Sequence, residues 1–127
     1  MNIWIVEDDA GYRRNLRMSL ELEDDIAMGH VFPSCDEMFE TLKAETPPDV
    51  ILMDLGLPGM SGIMGIRKLS KLAPDTVIMV LTVFKEKDTV RQALNAGAAG
   101  YLLKETDGPE IVKALREALA RESVIAN

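Results

Sequence analysis

Short apolar runs alternate with amphipathic segments along the whole chain, and this alternation limits the possible folds more than any other feature of the sequence. The apolar runs predict five strands, over residues 3–6, 26–32, 50–53, 77–81 and 99–103. Each run is followed by a segment with apolar residues at helical spacing, such as Tyr12, Leu16 and Leu20 after the first. The pattern therefore predicts five consecutive βα units.

Five βα units in a row indicate one α/β domain of three layers. Parallel neighbouring strands need crossover connections, and helices on both faces of the sheet supply them. Residues 50–53 and 77–81 are apolar throughout, as doubly buried strands should be, whereas the mixed polarity of 26–32 predicts an edge strand. We predict a single doubly wound domain over residues 1–127, with a five-stranded parallel sheet and five helices.

Several residues mark where the predicted helices begin and end. The segment 34–37, Ser-Cys-Asp-Glu, has the capping-box pattern and predicts a helix start. Asp107 is expected to cap the last helix, and Gly97 to end the fourth. Pro47 breaks the second helix before the third strand begins.

Composition excludes several classes of protein. The formal net charge of −7 opposes attraction to phosphate backbones, so we expect no direct nucleic-acid binding by this domain. The longest apolar run, 50–53, is too short to cross a bilayer, and the N-terminus lacks the pattern of a secretory signal. Cys35 is the single cysteine, which rules out an intrachain disulfide and fits a reducing compartment. We expect a cytoplasmic protein without membrane association.

Charged and polar residues stand at the carboxyl ends of four predicted strands, the edge at which open α/β sheets bind ligands. They are Glu7, Asp8 and Asp9 after the first strand, Asp54 after the third, Thr82 after the fourth and Lys104 after the fifth. Any one of them alone has an ordinary explanation as a turn former, helix cap or surface residue. Their occurrence together at one edge predicts a functional site.

The acidic residues of this edge indicate a metal site. Several carboxylates packed together repel one another unless a cation offsets their charge. A hard divalent ion such as Mg²⁺, or Mn²⁺ in its place, suits an all-oxygen site. We predict Asp8 and Asp54 as side-chain ligands, Glu7 as a ligand through water, and Gly56 as a source of an unobstructed backbone carbonyl.

Lys104 and Thr82 beside such an ion indicate phosphoryl transfer. A metal, an ammonium and a hydroxyl together neutralise the oxygens of a transferring phosphoryl group. A carboxylate can itself be the nucleophile and form an acyl phosphate. Asp54, at the end of the most apolar strand, is the best placed carboxylate for that role.

The same residues stand in motifs that resemble the receiver domain of two-component response regulators. The motifs are 5–9 (Ile-Val-Glu-Asp-Asp), 53–62 (Met-Asp-Leu-Gly-Leu-Pro-Gly-Met-Ser-Gly), 80–82 (Val-Leu-Thr) and 100–104 (Gly-Tyr-Leu-Leu-Lys). They occur in the family's order and spacing, and the resemblance covers roughly residues 2–121. It implies a flavodoxin-like fold with strand order 2-1-3-4-5.

The resemblance also implies roles for the site residues. Glu7 and Asp8 match the acidic pair, Asp54 the phosphoacceptor, Thr82 the switch hydroxyl, Tyr101 the aromatic switch residue and Lys104 the phosphate-contacting lysine. It further implies a sensor histidine kinase as phosphoryl donor, dependence on Mg²⁺, and slow self-catalysed loss of the phosphoryl group. The domain would be a switch rather than an enzyme that acts on other substrates.

The segment 101–105 is similar to receivers that carry a LuxR-type helix-turn-helix output domain. The resemblance implies control of transcription through a DNA-binding domain, which we expect to be absent from this chain. The chain is then either a stand-alone receiver or, as we favour, part of a DNA-binding regulator. A phosphorylation-linked homodimer is expected, through the fourth helix and fifth strand or through the first and last helices.

One position differs from the residue that many receivers have, and two others are positions that set reaction rates in the family. Glu105 stands where many receivers have proline, so we predict a trans peptide bond after Lys104. Gly56 and Phe84 occupy positions that set rates in the family, and neither has a polar side chain to orient an attacking water. We therefore predict slow dephosphorylation.

Other classes of protein fit the sequence less well. An aspartyl phosphatase would need a second carboxylate two residues after Asp54, where Gly56 stands. A flavodoxin-like nucleotide binder would need a hydroxyl-rich or glycine-rich loop after the first strand, where the sequence is acidic. A pseudo-receiver that never takes phosphate stays open, although every expected phosphotransfer group is present.

Overall fold

A computed structural model describes the backbone of residues 1–126 and the side chains of residues 1–122. Strands and helices alternate through the chain. They are β1 (Asn2–Val6), α1 (Ala10–Glu21), β2 (Ala27–Phe32), α2 (Cys35–Leu42), β3 (Val50–Met53), α3 (Gly62–Leu72), β4 (Val77–Thr82), α4 (Lys87–Ala96), β5 (Gly100–Leu103) and α5 (Gly108–Ala126). The five predicted βα units are therefore confirmed.

The five strands form one parallel sheet in the order β2-β1-β3-β4-β5, as predicted. β2, the strand of mixed polarity, lies at one edge and β5 lies at the other. Four strands begin or end one residue away from the predicted position, because backbone pairing rather than polarity sets the ends. Asn2, for example, pairs with Ala27, and Thr82 pairs with Leu103.

Two apolar layers cover the two faces of the sheet. Along β1, Trp4 and Val6 belong to the core that includes side chains of α2, α3 and α4. Ile3 and Ile5 belong to the opposite core, which includes side chains of α1 and α5. Both cores are closed to water, since these four side chains are at most 2% exposed. None of the helices in the described part of the chain is long and apolar enough to span a membrane.

The predicted helix boundaries rest on side-chain caps and one glycine. The hydroxyl of Ser34 accepts a hydrogen bond from the Glu37 amide at 3.2 Å, as the capping-box pattern predicts. Asp107 accepts one from the Glu110 amide at 3.0 Å at the start of α5. Gly97 ends α4 with a φ of 129°, which a side chain would make unfavourable.

Candidate functional site

The neighbouring central strands β1 and β3 bring the acidic residues together. Val6 pairs with Met53 in the last register position, so the residues after them, Glu7 and Asp54, lie next to each other. Carboxylate oxygens of Glu7, Asp8 and Asp54 all lie within 4.8 Å of one another. Three of the predicted metal ligands therefore share one small region at the carboxyl edge of the sheet.

Lys104 reaches this acidic group from the edge strand β5. Its Nζ lies 2.5 Å from Glu7 Oε1 and 3.2 Å from Asp54 Oδ2. The ring of Tyr12, in the first turn of α1, lies beside the ammonium at 4.7 Å from its centroid. One ammonium is therefore shared by two carboxylates from different strands.

Backbone amides orient the carboxylate of Asp54. The Asp54 amide donates to the Val6 carbonyl at 3.1 Å, which continues the pairing of the sheet by one residue. Oδ1 accepts hydrogen bonds from the amides of Leu55 at 2.7 Å and Gly56 at 3.4 Å, while Oδ2 faces Lys104. Asp54 is only 6% exposed, so its orientation is held by these contacts rather than by solvent.

Gly62 packs the start of α3 directly against the backbone at Asp54. Its amide donates to the Leu55 carbonyl at 3.2 Å. A Cβ at this position would lie 2.2 Å from the Asp54 carbonyl oxygen and 2.6 Å from the Leu55 Cα. This contact between two backbone segments leaves room only for glycine, and it holds the loop after Asp54 in place.

Burial and hydrogen bonding shift the pKa of Glu7, and likewise that of Lys104, in opposite directions. Burial raises the pKa of the Glu7 carboxyl, and hydrogen bonds from Lys104 and from the Asp9 amide oppose part of that rise. For Lys104, burial lowers the pKa, but the hydrogen bonds to Glu7 and Asp54 together outweigh it and the net direction is upward. Lys104 is therefore a stable positive charge at neutral pH.

Asp8 differs from its neighbour in exposure and in partners. Glu7 is 2% exposed and accepts a hydrogen bond from the Asp9 amide at 3.0 Å. Asp8 is exposed and has no side-chain hydrogen bond or ion pair among the described residues. Its carboxylate is thus available to a ligand on the open side of the site.

The donor set fits a hard divalent cation. Every donor is an oxygen, which is what Mg²⁺ and Mn²⁺ prefer. The three carboxylates lie beside a single lysine ammonium, which pairs with Glu7 and Asp54 but not with Asp8, so negative charge remains in excess at this point of the site. A divalent ion held by Glu7, Asp8 and Asp54 would offset that excess.

Thr82 and Phe84 complete the site on the side of β4. Thr82 is fully buried, and its hydroxyl accepts a hydrogen bond from the Phe84 amide at 3.4 Å. The Lys104 amide donates to the Thr82 carbonyl at 2.9 Å, so these two residues are linked through the backbone. The Phe84 ring lies over Gly56, where a Cβ would meet it at 3.2 Å.

Tyr101 connects β5 to the loop that follows Thr82. Its hydroxyl donates to the Phe84 carbonyl at 2.7 Å, and its ring packs against the core that includes α2, α3 and α4. The peptide bond after Lys104 is trans, as predicted, since the described residues contain no cis bond. Glu105 beyond it lies 3.7 Å from Lys85.

Two residues near the site were not assigned a role in it from the sequence. Tyr12 was identified as an apolar position of α1, yet its ring contacts the Lys104 ammonium. Arg13 donates from Nη1 to the Glu7 carbonyl at 2.6 Å and so holds the loop after β1. Arg13 lies one turn after the acidic run, and only that spacing could have indicated the contact.

Comparison with known families gives one match over most of the chain. Residues 3–116 match the family of the response regulator receiver domain. The transcriptional regulatory protein YhcZ of Bacillus subtilis, itself uncharacterized, is 40% identical over 113 residues, which are 89% of this chain and 52% of that protein. The response regulator GacA of Pseudomonas aeruginosa is 33% identical over 127 residues, or 99% of this chain and 58% of that protein. The chain thus spans about half the length of the curated relatives that it matches.

Solved structures give the same result for the fold. A LuxR-family two-component response regulator from Aurantimonas matches with a TM-score of 0.87 and 30% identity, over 94% of this chain and 84% of that one. The receiver domain of the response regulator NarL from Mycobacterium tuberculosis also has a TM-score of 0.87, with 28% identity over 94% and 95% of the two chains. The similarity extends over the whole sheet and its helices.

Proposed function

This chain belongs to the response regulator receiver domain family of two-component systems, and from that premise we propose that Asp54 accepts a phosphoryl group from a sensor histidine kinase. We propose further that the transfer depends on Mg²⁺ or Mn²⁺ held by Glu7, Asp8 and Asp54, with the Gly56 carbonyl as an added ligand. The observation that carries the proposal is the shared contact of Lys104 with Glu7 and Asp54, beside three converging carboxylates.

The proposed transfer is a displacement at phosphorus. A carboxylate oxygen of Asp54 attacks the phosphorus, the phosphorus–nitrogen bond of the phosphohistidine donor breaks, and its electron pair leaves with the imidazole. When bound, the divalent ion would neutralise charge on the phosphoryl oxygens. Lys104 is already within reach of Asp54 Oδ2 and would bind an oxygen of the new acyl phosphate.

The contacts of Thr82 and Tyr101 support a conformational switch. A phosphoryl group on Asp54 adds negative charge beside Lys104, and the Thr82 hydroxyl would turn to donate to one of its oxygens. That hydroxyl now accepts from the Phe84 amide, and the Phe84 carbonyl accepts from Tyr101. Movement of Thr82 would therefore reposition the loop before α4 and, with it, Tyr101.

The proposed output is transcription. The relatives include transcriptional regulatory proteins, and the chain covers about half of their length. We infer that the domain acts within, or together with, a DNA-binding regulator in the cytoplasm, and that phosphorylation favours a homodimer. The domain itself is proposed to be a switch that catalyses its own phosphorylation and dephosphorylation, without an enzymatic activity on other substrates.

Dephosphorylation is proposed to be slow. Gly56 offers no side chain to orient a water, and the Phe84 ring lies against it. An apolar ring at this point excludes water from one approach to Asp54 rather than activating it. Loss of the phosphoryl group from the wild-type domain as fast as from Gly56→Asn, whose amide could orient a water, would contradict this part of the proposal.

Intact-protein mass spectrometry after incubation with acetyl phosphate and Mg²⁺ tests the proposal. Wild type should gain one phosphate-sized increment, and Asp54→Asn or a chelator should abolish it. Asp75→Asn, which changes an exposed aspartate at the other end of the sheet, serves as the matched control and should behave as wild type. No gain with acetyl phosphate, phosphoramidate and a promiscuous histidine kinase would identify a pseudo-receiver instead.

A further inference from the structure

A groove lies between α2 and α3, on the face of the sheet that does not carry α1 and α5. α2 and α3 approach each other closely at Cys35 and Gly65, and an open groove of about 470 Å³ lies between them toward their C-terminal ends. The groove is lined by Phe39, Leu42, Lys43, Pro47, Lys68 and Leu72. These residues lie toward the C-terminal ends of α2 and α3. The groove is therefore near the edge of the sheet formed by the amino ends of the strands, away from Asp54.

The groove lies where the described residues leave Leu72, in the last turn of α3, largely uncovered. α2 has eight residues and ends at Leu42, after which the chain returns to β3 through Pro47 and Pro48. α3 has 11 residues and ends at Leu72, which is 57% exposed. An exposed leucine beside a buried phenylalanine, Phe39, gives the groove an apolar floor and wall.

The side of the groove formed by α3 is basic, although the chain as a whole has a net charge of −7, whereas Asp36, Glu37 and Glu40 of α2 lie next to Lys43 and Lys68 on the adjoining surface. The charged residues of α3 are Arg67, Lys68 and Lys71, and it has no acidic residue. No carboxylate of the described side chains lies within 4 Å of any of the three. The helix dipole explains a positive charge at Lys71, which is in the last turn, but it does not explain Arg67 and Lys68.

Lys68 holds its charge at the mouth of the groove. Its Nζ lies 4.3 Å from the centroid of the Phe39 ring, so the aliphatic part of the side chain runs along the apolar wall. Lys43 stands on the opposite side and pairs with Glu40 at 2.9 Å, with both side chains mostly exposed. Exposed pairs of this kind are weak and exchange readily for another carboxylate.

We propose that this groove binds an acidic amphipathic helix of a partner protein. The apolar face of such a helix would lie against Phe39, Leu42 and Leu72, which is the usual way in which a helix occupies a groove. Its carboxylates would meet Lys43 and Lys68, which line the groove, and Lys71 in the adjoining last turn of α3, and this complementarity of charge would orient it. The overall negative charge of the chain opposes nucleic acid at the same surface.

A labelled peptide and the intact chain test this proposal by fluorescence anisotropy. The probe is a helical peptide of about 16 residues with leucines on one face and glutamates elsewhere. Its controls are a scrambled peptide of the same composition and a peptide with lysine in place of each glutamate. The acidic amphipathic peptide should bind at least about tenfold more tightly than either control.

Variants of the chain locate the binding. Lys68→Glu with Lys71→Glu should weaken binding at least about tenfold, and Leu72→Ser about fivefold. The matched control is Lys113→Glu with Arg121→Glu on α5, which has the same change in charge and should stay within about twofold of wild type. Asp54→Asn should bind as wild type, because the groove is separate from the site of the proposed phosphorylation.

Specific results would overturn the proposal. They are equal binding of the scrambled peptide, equal loss in the α5 control, or NMR chemical-shift changes that fall outside α2 and α3. Tighter binding of a DNA duplex at the groove, or self-association of the chain that Leu72→Ser abolishes, would assign the groove to a different occupant. Because Asp54→Asn is included, failure here is distinguishable from failure of the proposed phosphorylation.

Discussion

Lys104 and Glu7 form the shortest side-chain ion pair in the described part of the structure, with Nζ and Oε1 2.5 Å apart. The pair connects the end of the edge strand β5 to the end of β1, and it spans β3 and β4. Asp54 shares the same ammonium at 3.2 Å. The charge balance of the site therefore depends on one lysine, and this gives the first prediction.

Replacing Lys104 with methionine should destabilise the domain in the absence of divalent ions. The change leaves the nearly buried carboxylates of Glu7 and Asp54 without their cation, and we expect a loss of about 2–4 kcal/mol in the free energy of unfolding. Urea unfolding in the presence of a chelator measures this. Mn²⁺ should restore stability to Lys104→Met more than it adds to wild type, because no ammonium competes for the carboxylates.

Lys85→Met is the control for that experiment. Lys85 pairs with Glu105 at 3.7 Å, and both side chains are 68% exposed. Its loss should change the free energy of unfolding by less than about 0.5 kcal/mol. Equal stability of Lys104→Met and wild type in chelator would show that the buried pair contributes nothing net.

Gly62→Ala should be far more damaging than Gly11→Ala. The new methyl at residue 62 would overlap the backbone at Asp54, where no flexible side chain can move away. We expect a loss of at least about 3 kcal/mol in the free energy of unfolding. The nearest atom to a methyl at residue 11 is the Asp9 Oδ1 at an ordinary 3.5 Å, so Gly11→Ala should be within about 1 kcal/mol of wild type, on the stabilising side. Similar urea midpoints for the two variants would contradict the contact.

Cys35 should be nearly inert in the native state. It is fully buried, and burial first and Asp36 second raise the pKa of its thiol to about 11. The thiolate is the reactive form, so alkylation by iodoacetamide near pH 8 should be at least about 100-fold slower than in urea-unfolded protein. Mass spectrometry of timed samples measures the rate. Complete modification of folded protein within the mixing time would contradict the burial.

The same thiol should make stability depend on alkaline pH. Its native pKa is above the ordinary value of 9.0, so the stabilisation is complete below about pH 9 and is lost as the pH rises through about 11. This part of the free energy of unfolding is at most about 3 kcal/mol. Lysines and tyrosines titrate in the same range, so the comparison is with Cys35→Ala, whose stability should fall less steeply between the two pH values.

Tyr101→Phe should loosen the loop after β4 while leaving the fold intact. The change removes the hydrogen bond to the Phe84 carbonyl, which is near solvent, and should cost less than about 1.5 kcal/mol. Amide hydrogen exchange at residues 83–86 should become faster. Tyr12→Phe serves as the control, since the Tyr12 hydroxyl has no hydrogen-bond partner among the described residues and that loop should exchange as in wild type.

The fold and the position of the site could be predicted from the sequence because both follow from strand periodicity. The sequence itself contains the apolar run 50–53 and the acidic residues that follow two of the strands. Because the carboxyl ends of parallel strands lie at the same edge of a sheet, these residues are expected to lie close together. The strand order came from the family resemblance and is confirmed. Periodicity alone does not say which strands are neighbours.

The finer contacts were beyond prediction because they depend on side-chain direction. Glu7 and Asp8 are adjacent carboxylates, yet one is buried on Lys104 and the other faces solvent. Arg13 could equally have pointed to water, and only the backbone geometry of α1 directs it to Glu7. The groove beside Leu72 depends on the length of α2 relative to α3, which capping signals locate only roughly.

The order of the strands also determines which surfaces of the domain can respond to a change at Asp54. The acidic residues follow β1 and β3, Thr82 ends β4 and Lys104 follows β5, so a rearrangement at Asp54 that moves Thr82 and Lys104 would spread toward the β5 edge. A partner whose binding depends on whether Asp54 carries a phosphoryl group would have to bind near α4 and Tyr101. A partner bound between α2 and α3 would bind the phosphorylated and the unphosphorylated protein alike. Both partners could be bound at the same time.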